Sequence, residues 1–316
     1  MNFNRDQLQR DMALLASQGV FIGTSSWKYP GWLGQLYQED RYIWHGRFSK
    51  ARFEKLCLTE YAQVFKTVSV DAAYYTFPTR ASLESMVSAV PADFRFNFKV
   101  TDALTLKTFP MLPRFGPRAG KPNEDFLNPD RFVSAFLEPC DPFRSSIGVL
   151  MFEFSRFQTD DFARGRDFVE CLDAFLAKLP RDWKYAVEIR NRNFLQPEYF
   201  AALQRHGVGH VYNAWQDMPT LSEQIAVPES LTTPEFLVAR LLLKPGRKYD
   251  DAVKLFSPYQ EIKDPYPEGR ASAADLIRIT RRSGGRTKSF IHVNNRFEGS
   301  ALETIAAILD IVRGEL

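Results

Sequence analysis

The stretch YAVEIRNRNFLQPEYFAALQRHGVGHVYN, residues 185–213, decides the fold. It opens with an alternation. Tyr185, Val187 and Ile189 point one way, and Glu188 and Arg190 point the other, which is the period of a strand. Pro197 then suits the first turn of a helix, because it has no N–H to lose and its φ is already set. Glu198 beside it complements the positive helix end, and Arg205 and His206 complement the negative one. Gly207 stops the helix, and a second apolar run begins at Gly209. Strand, helix and strand in so short a span make a βα unit with parallel strands.

The same reading extends along the chain. Strands are expected at 20–24, 67–71, 94–100, 147–154, 185–190, 209–213, 236–243 and 289–294. Helices are expected at 49–65, 79–90, 129–137, 160–179, 197–206, 271–282 and 300–314. A short amphipathic helix near the start carries Leu8, Met12 and Leu15 on one face. Eight alternating units predict an α/β fold, a single (β/α)8 barrel occupying residues 1–316 as one domain. An open doubly wound sheet is the alternative, but no G-x-G-x-x-G follows the first strand and there is no phosphate-loop motif. Long irregular insertions are expected after strands 1, 3 and 7, at 25–48, 101–128 and 245–269. In a barrel they sit on the C-terminal rim.

Bulk composition narrows the class. The chain has 316 residues, 45% hydrophobic and 25% charged, with 41 basic against 38 acidic residues and a net charge of +3. That balance excludes a disordered chain and disfavours a nucleic-acid binder, which carries a concentrated basic stripe. The densest basic cluster, Arg278, Arg281, Arg282, Arg286 and Lys288, reads as a helix C-terminus stopped by Gly284 and Gly285. No apolar run reaches the ~18–20 residues of a membrane span, and no signal peptide is expected. Three cysteines, Cys57, Cys140 and Cys171, form no metal-finger spacing and are expected as reduced, mostly buried thiols in a cytoplasmic protein. Cys57 and Cys171 fall at core spacing on predicted helices, whereas Cys140, in a Pro-rich turn, is the one candidate for a reactive thiol.

The inward faces of the predicted strands carry the functional signal. If Phe94, Phe96 and Phe98 face the helices, Asn97 and Lys99 face the barrel interior. The same logic turns Ser69 and Asp71, Glu188 and Arg190, and His292 and Asn294 inward. Arg240 is the only charge in FLVARLLL, and Glu153 ends the apolar run GVLMFEF. The C-terminal ends of separate strands thus collect Ser25, Asp71, Lys99, Glu153, Glu188, Arg190, Asn213, Arg240 and Asn294. A purely structural ion network, with pairs such as Glu188/Arg240 or Asp71/Lys99, would explain them without chemistry. Barrel enzymes, however, gather their catalytic groups on this face.

These residues lie in segments that carry a resemblance. IGTSSWKYPGWLGQLY (22–37), TVSVDAAYYTFP (67–78), FRFNFKV (94–100), YAVEIRNRNF (185–194), Arg240 before Tyr249, and FIHVNNRFEGSA (290–301) together resemble the YecE-like family, domain of unknown function 72. The resemblance implies one TIM-type barrel in a bacterial cytoplasmic protein, and no assigned reaction. The chain departs from the pattern at Ser69 and Asp71, where the family usually has Glu and Asn, and at Glu153, where Gln is typical.

Function is read as acid/base chemistry on a small phosphorylated or polyhydroxylated substrate, of hydrolase, lyase or isomerase type. Asp71, Glu153 and Glu188 are the candidate catalytic carboxylates, one of them expected to act as an acid through a raised pKa. Lys99, Arg190 and Arg240 would hold a phosphate or carboxylate group. Trp27, Tyr29, Trp32 and Tyr75 would form an apolar wall, and Ser25, Asn213, Asn294 and Asn295 would add polar contacts. Paired carboxylates with aromatic walls also suit glycoside chemistry. No cofactor is expected. A divalent metal on His292, Glu153, Glu188 and Asp71 is a second reading, but one histidine makes no ligand cluster. The same pocket would also suit a nucleic-acid-binding module with stacking rim aromatics, or a sensor that binds a ligand without converting it.

Overall fold

A computed structural model describes residues 3–315. Eight parallel strands form a closed barrel. They are β1 (Val20–Thr24), β2 (Thr67–Val70), β3 (Arg95–Lys99), β4 (Ile147–Phe154), β5 (Tyr185–Ile189), β6 (Gly209–Ala214), β7 (Phe236–Leu241) and β8 (Lys288–Val293). Each lies beside its successor, and β8 returns to β1. The fold is the (β/α)8 barrel expected from the alternation. Closure between β1 and β2 is tight: a Cβ on Gly23 would fall 2.1 Å from the Thr67 carbonyl oxygen, so only glycine fits.

Alternation decides what each strand face meets. Val68, Val70, Phe96, Phe98, Val187, Ile189, Ile291 and Val293 are buried in the large core between barrel and helices. Inside the lower barrel, Phe21, Val149, Met151, Ala186, Val211, Phe236, Val238 and Phe290 form a separate apolar plug. The inward and outward assignments made from the sequence hold.

The surrounding helices are α1 (Arg5–Ser17), α2 (Lys50–Val64), α3 (Arg80–Val87), α4 (Gly165–Leu176), α5 (Pro197–His206), α6 (Tyr249–Phe256), α7 (Pro267–Arg282) and α8 (Ala301–Val312). Asn4, Ser49, Thr79 and Ser300 cap α1, α2, α3 and α8 by accepting from first-turn backbone N–H groups. Residues 129–140 are also helical, with a wide turn at Val133–Leu137.

Some boundaries differ from expectation. The helix expected from 160 starts at Gly165, where the Asp167 carboxylate accepts from the Arg164 N–H and ends the preceding loop. The helix expected from 271 starts at Pro267, a proline in the first turn. The region 245–269, read as irregular, contains α6, which buries Ala252 and Phe256 against Leu243. Four-residue spacing of two apolar side chains was too short a signal to read as a helix. No helix among the described residues is long and apolar enough to cross a membrane.

Candidate functional site

Six ionisable side chains meet at the C-terminal mouth of the barrel. Glu153 on β4 and Glu188 on β5 are register partners, so their carboxylates stand side by side. Arg240 on β7 reaches across the lumen, with Nη1 at 2.6 Å from Glu188 and 3.7 Å from Glu153. Its Nη2 lies 2.9 Å from Asp71, just beyond β2. Arg190, just beyond β5, places Nη2 at 3.0 Å from Glu153 and 3.2 Å from Glu188. Lys99, at the end of β3, is in direct ionic contact with Glu153. Three cations thus balance three carboxylates. Of the two pairs foreseen as a bland explanation, Glu188/Arg240 is present. Asp71 contacts Arg240 rather than Lys99, because Lys99 is taken by Glu153.

Electrostatics separates the members. Burial pushes the Glu153 carboxyl up, but Arg190, Lys99 and Arg240 together outweigh it and hold it at about 2. Glu153 is therefore a permanent carboxylate at neutral pH, and the raised-pKa acid foreseen in the cluster is not this residue. Burial pushes the Lys99 ammonium below its ordinary value, against the pull of Glu153. The two partners differ because Glu153 has three cations around it, whereas Arg190 and Arg240 repel Lys99. Lys99 also lies 3.4 Å from the Tyr74 ring centre, and Arg190 stacks at 3.8 Å on Trp215.

Access is uneven. The side chains of Glu153, Glu188 and Arg240 are at most 2% exposed, those of Lys99 and Arg190 11% and 13%, and that of Asp71 33%. Asp71 is the open edge of the network, held from beneath by the Ser69 hydroxyl at 3.1 Å.

The remaining sequence-derived candidates divide. Tyr75 is exposed on the rim. Tyr29 is half-buried, packed on Trp32 and edge-on to Tyr259 at centroid distances of 4.8 and 5.7 Å. Burial pushes its hydroxyl to about 12, so it keeps its proton and can donate; Arg296 and Asp71 both act on it, in opposite senses. Trp32 is fully buried beneath Tyr29, and Trp27 is nearly so, lining a cavity of about 380 Å³ with Leu58, Phe77 and Met86. Asn213 holds the Ile189 carbonyl at 3.1 Å. Asn294 and Asn295 accept backbone N–H groups of Arg296 and Ala301 at 2.9 and 2.8 Å, shaping the loop into α8. Ser25 is buried, with its hydroxyl unpartnered.

His292 lies inside the barrel, with Nε2 at 3.2 Å from the Asn97 amide. Burial, reinforced by Arg240, holds its ring at about 3, so it is neutral. Among the described residues no three His, Cys, Asp or Glu side chains are grouped to hold a metal ion. Cys140 is buried, and burial pushes its thiol to about 12, which removes it as a reactive thiol. Cys171, placed at core spacing by the sequence, is exposed instead.

Sequence reasoning passed over Tyr74, Trp215, Tyr249 and Arg296, which all border the site. Tyr74 stands beside the chosen Tyr75, but Trp215 and Arg296 sit in loops and Tyr249 opens α6, and no local pattern brings these to the mouth.

The model of a protein family of unknown function, DUF72, matches residues 21–315. The chain belongs to the DUF72 family. Two crystal structures of a DUF72 family protein from Enterococcus faecalis superpose with TM-scores of 0.60 and 0.59, at 18% and 17% identity, over 93% of this chain and 95% and 97% of theirs. A DUF72 family protein from Thermotoga maritima gives 0.59 at 19% identity, over 93% of this chain and 99% of that one. At these identities the likeness is one of fold. No curated protein matches the chain.

Proposed function

We propose that this DUF72 protein is an enzyme that binds a small phosphorylated or polyhydroxylated substrate at the barrel mouth and acts on it by acid/base chemistry. One observation carries the reading. A balanced, buried ion network ends in a single carboxylate, Asp71, that solvent can reach. Rigid pairing at Arg240 fixes that carboxylate, and pre-organised groups are what such chemistry needs.

The roles follow from access and charge. Asp71 is the base, Tyr29 a protonated hydrogen-bond donor near it, and Tyr75 part of the wall. Glu153 and Glu188 hold Arg190 and Arg240 in place. They are positioning groups, because their carboxylates are almost wholly buried.

The test is turnover of a panel of sugar phosphates and polyols, followed by NMR of the mixture, with wild type beside Asp71→Asn. Wild type should convert at least one compound, and Asp71→Asn should lose about 100-fold or more of the rate, the scale of a general base. Equal turnover by the two proteins would sink the assignment.

A further inference from the structure

The network leaves its own cations fully engaged. Lys99, Arg190 and Arg240 each contact at least one carboxylate. An incoming oxyanion would have to compete with Glu153, Glu188 and Asp71 for them, and those pairs are buried and pre-formed. The anion-holding role foreseen for these three therefore needs a different residue.

Arg296 has what they lack. It lies in the loop after β8 and is half-buried. Among the described residues it is in no ion pair, whereas its neighbours Arg247 and Lys244 both contact Asp264. Its guanidinium stacks at 4.6 Å over the ring of Tyr249, the first residue of α6. Its Nε is shielded from solvent and has no partner. The loop itself is braced: the Arg296 N–H donates to Asn294 Oδ1 at 2.9 Å, and Arg247 donates to the Phe297 carbonyl at 3.1 Å. Asp250 and Asp251 follow Tyr249 but are exposed, and neither comes within ion-pair distance.

β8, which leads into Arg296, pairs with β7 so that His292 lies opposite Arg240, the partner of Asp71, and the unpaired cation and the open carboxylate therefore lie at the same end of the barrel. A guanidinium held flat by stacking, with free donors, matches a planar or tetrahedral oxyanion. The loops after the seventh and eighth strands are also where barrels commonly hold phosphate.

We propose that Arg296 anchors the oxyanion of the substrate, a phosphoryl or carboxyl group, and so turns the remainder of the molecule toward Asp71. The inference rests on the proposed enzymatic reading of the mouth and adds which end of the substrate goes where. Lys99, Arg190 and Arg240 then serve the network rather than the ligand.

The experiment uses the full chain and two probes, inorganic phosphate and acetate, titrated against tyrosine and tryptophan fluorescence. Wild type should bind one or both saturably. The anion that saturates at lower concentration tells a phosphoryl from a carboxyl ligand. Arg296→Gln should weaken binding about tenfold or more, the scale of charge-assisted hydrogen bonds. Arg296→Lys should fall between them. Arg156→Gln is the control, because Arg156 is an exposed rim residue already paired with Asp217 at 3.2 Å. It should bind like wild type. Equal affinity in Arg296→Gln, or no saturation by either anion in wild type, overturns the proposal. Binding is read without turnover, so it stays separate from the Asp71 test. Saturable, Arg296-dependent binding with Asp71-independent turnover would keep the anchor and discard the base.

Discussion

The barrel lumen has a floor and a mouth, made by the same strands and the same inward face. Met151, Ala186 and Val238 lie in the apolar floor. One step of the alternation further on, each strand presents Glu153, Glu188 and Arg240. The floor is held by contact and tolerates any apolar side chain of the right volume. The mouth is neutral as a whole but depends on every member, because a buried charge that loses its partner is costly. Stability is thus spread evenly in one region and concentrated in single contacts in the other.

The largest effect should come from Arg240→Met. It leaves Glu188 without its 2.6 Å partner and strips Asp71 and Glu153 of a cation. A loss of about 3–5 kcal/mol is expected in urea unfolding. Met151→Leu, in the floor, should cost under about 1.5 kcal/mol. Similar losses in the two variants would erase the distinction between the regions.

Acid should reveal the same contrast more gently. Burial holds His292 at about 3 and His210 at about 4, against an ordinary 6.5. The unfolded chain takes up these protons as pH falls below 6.5, and the folded chain does not. The contribution is therefore complete above that pH and is lost as pH falls, by about 2 kcal/mol per ring between pH 6.5 and 5. Below 4.5, Glu153 adds a further loss that runs to about pH 2. Urea midpoints measured from pH 7.5 to 5 should fall in wild type and fall less in His292→Gln. Parallel slopes would show that His292 is not held neutral.

The smallest effect on stability belongs to Tyr75→Ala, since that ring is 62% exposed. A change within about 0.5 kcal/mol is expected, together with weaker binding of any compound that binds at the mouth. Unaltered binding would remove Tyr75 from the ligand wall.

Much of this was legible in the chain. A charge inside an apolar run, such as Arg240 in FLVARLLL or Glu153 in GVLMFEF, marks a lumen-facing strand end without any structure. Trp32 was less legible: it reads as a rim aromatic, yet the turn at Pro30–Trp32 folds it under Tyr29. Arg296 gave no signal, because in NNRFEG it is one polar residue among several, and its stacking partner Tyr249 opens α6, which follows a different strand. Cys171 failed for a related reason. Helical spacing identifies a face, but only packing against α5 and the barrel decides which flank of that face is covered.

The sequence by itself determined the strands, their inward faces and the six charges of the ion network at the mouth, since pleating and alternation are local steric facts. Only the tertiary structure decided who pairs with whom. Asp71 and Arg240 are 169 residues apart in the chain, and closing the barrel brings them together. Coulombic partnership depends on distance in space, which no local pattern encodes. That is why the six charges of the network could be named from the chain, while the carboxylate left open to solvent, and Arg296 beside the network, could not.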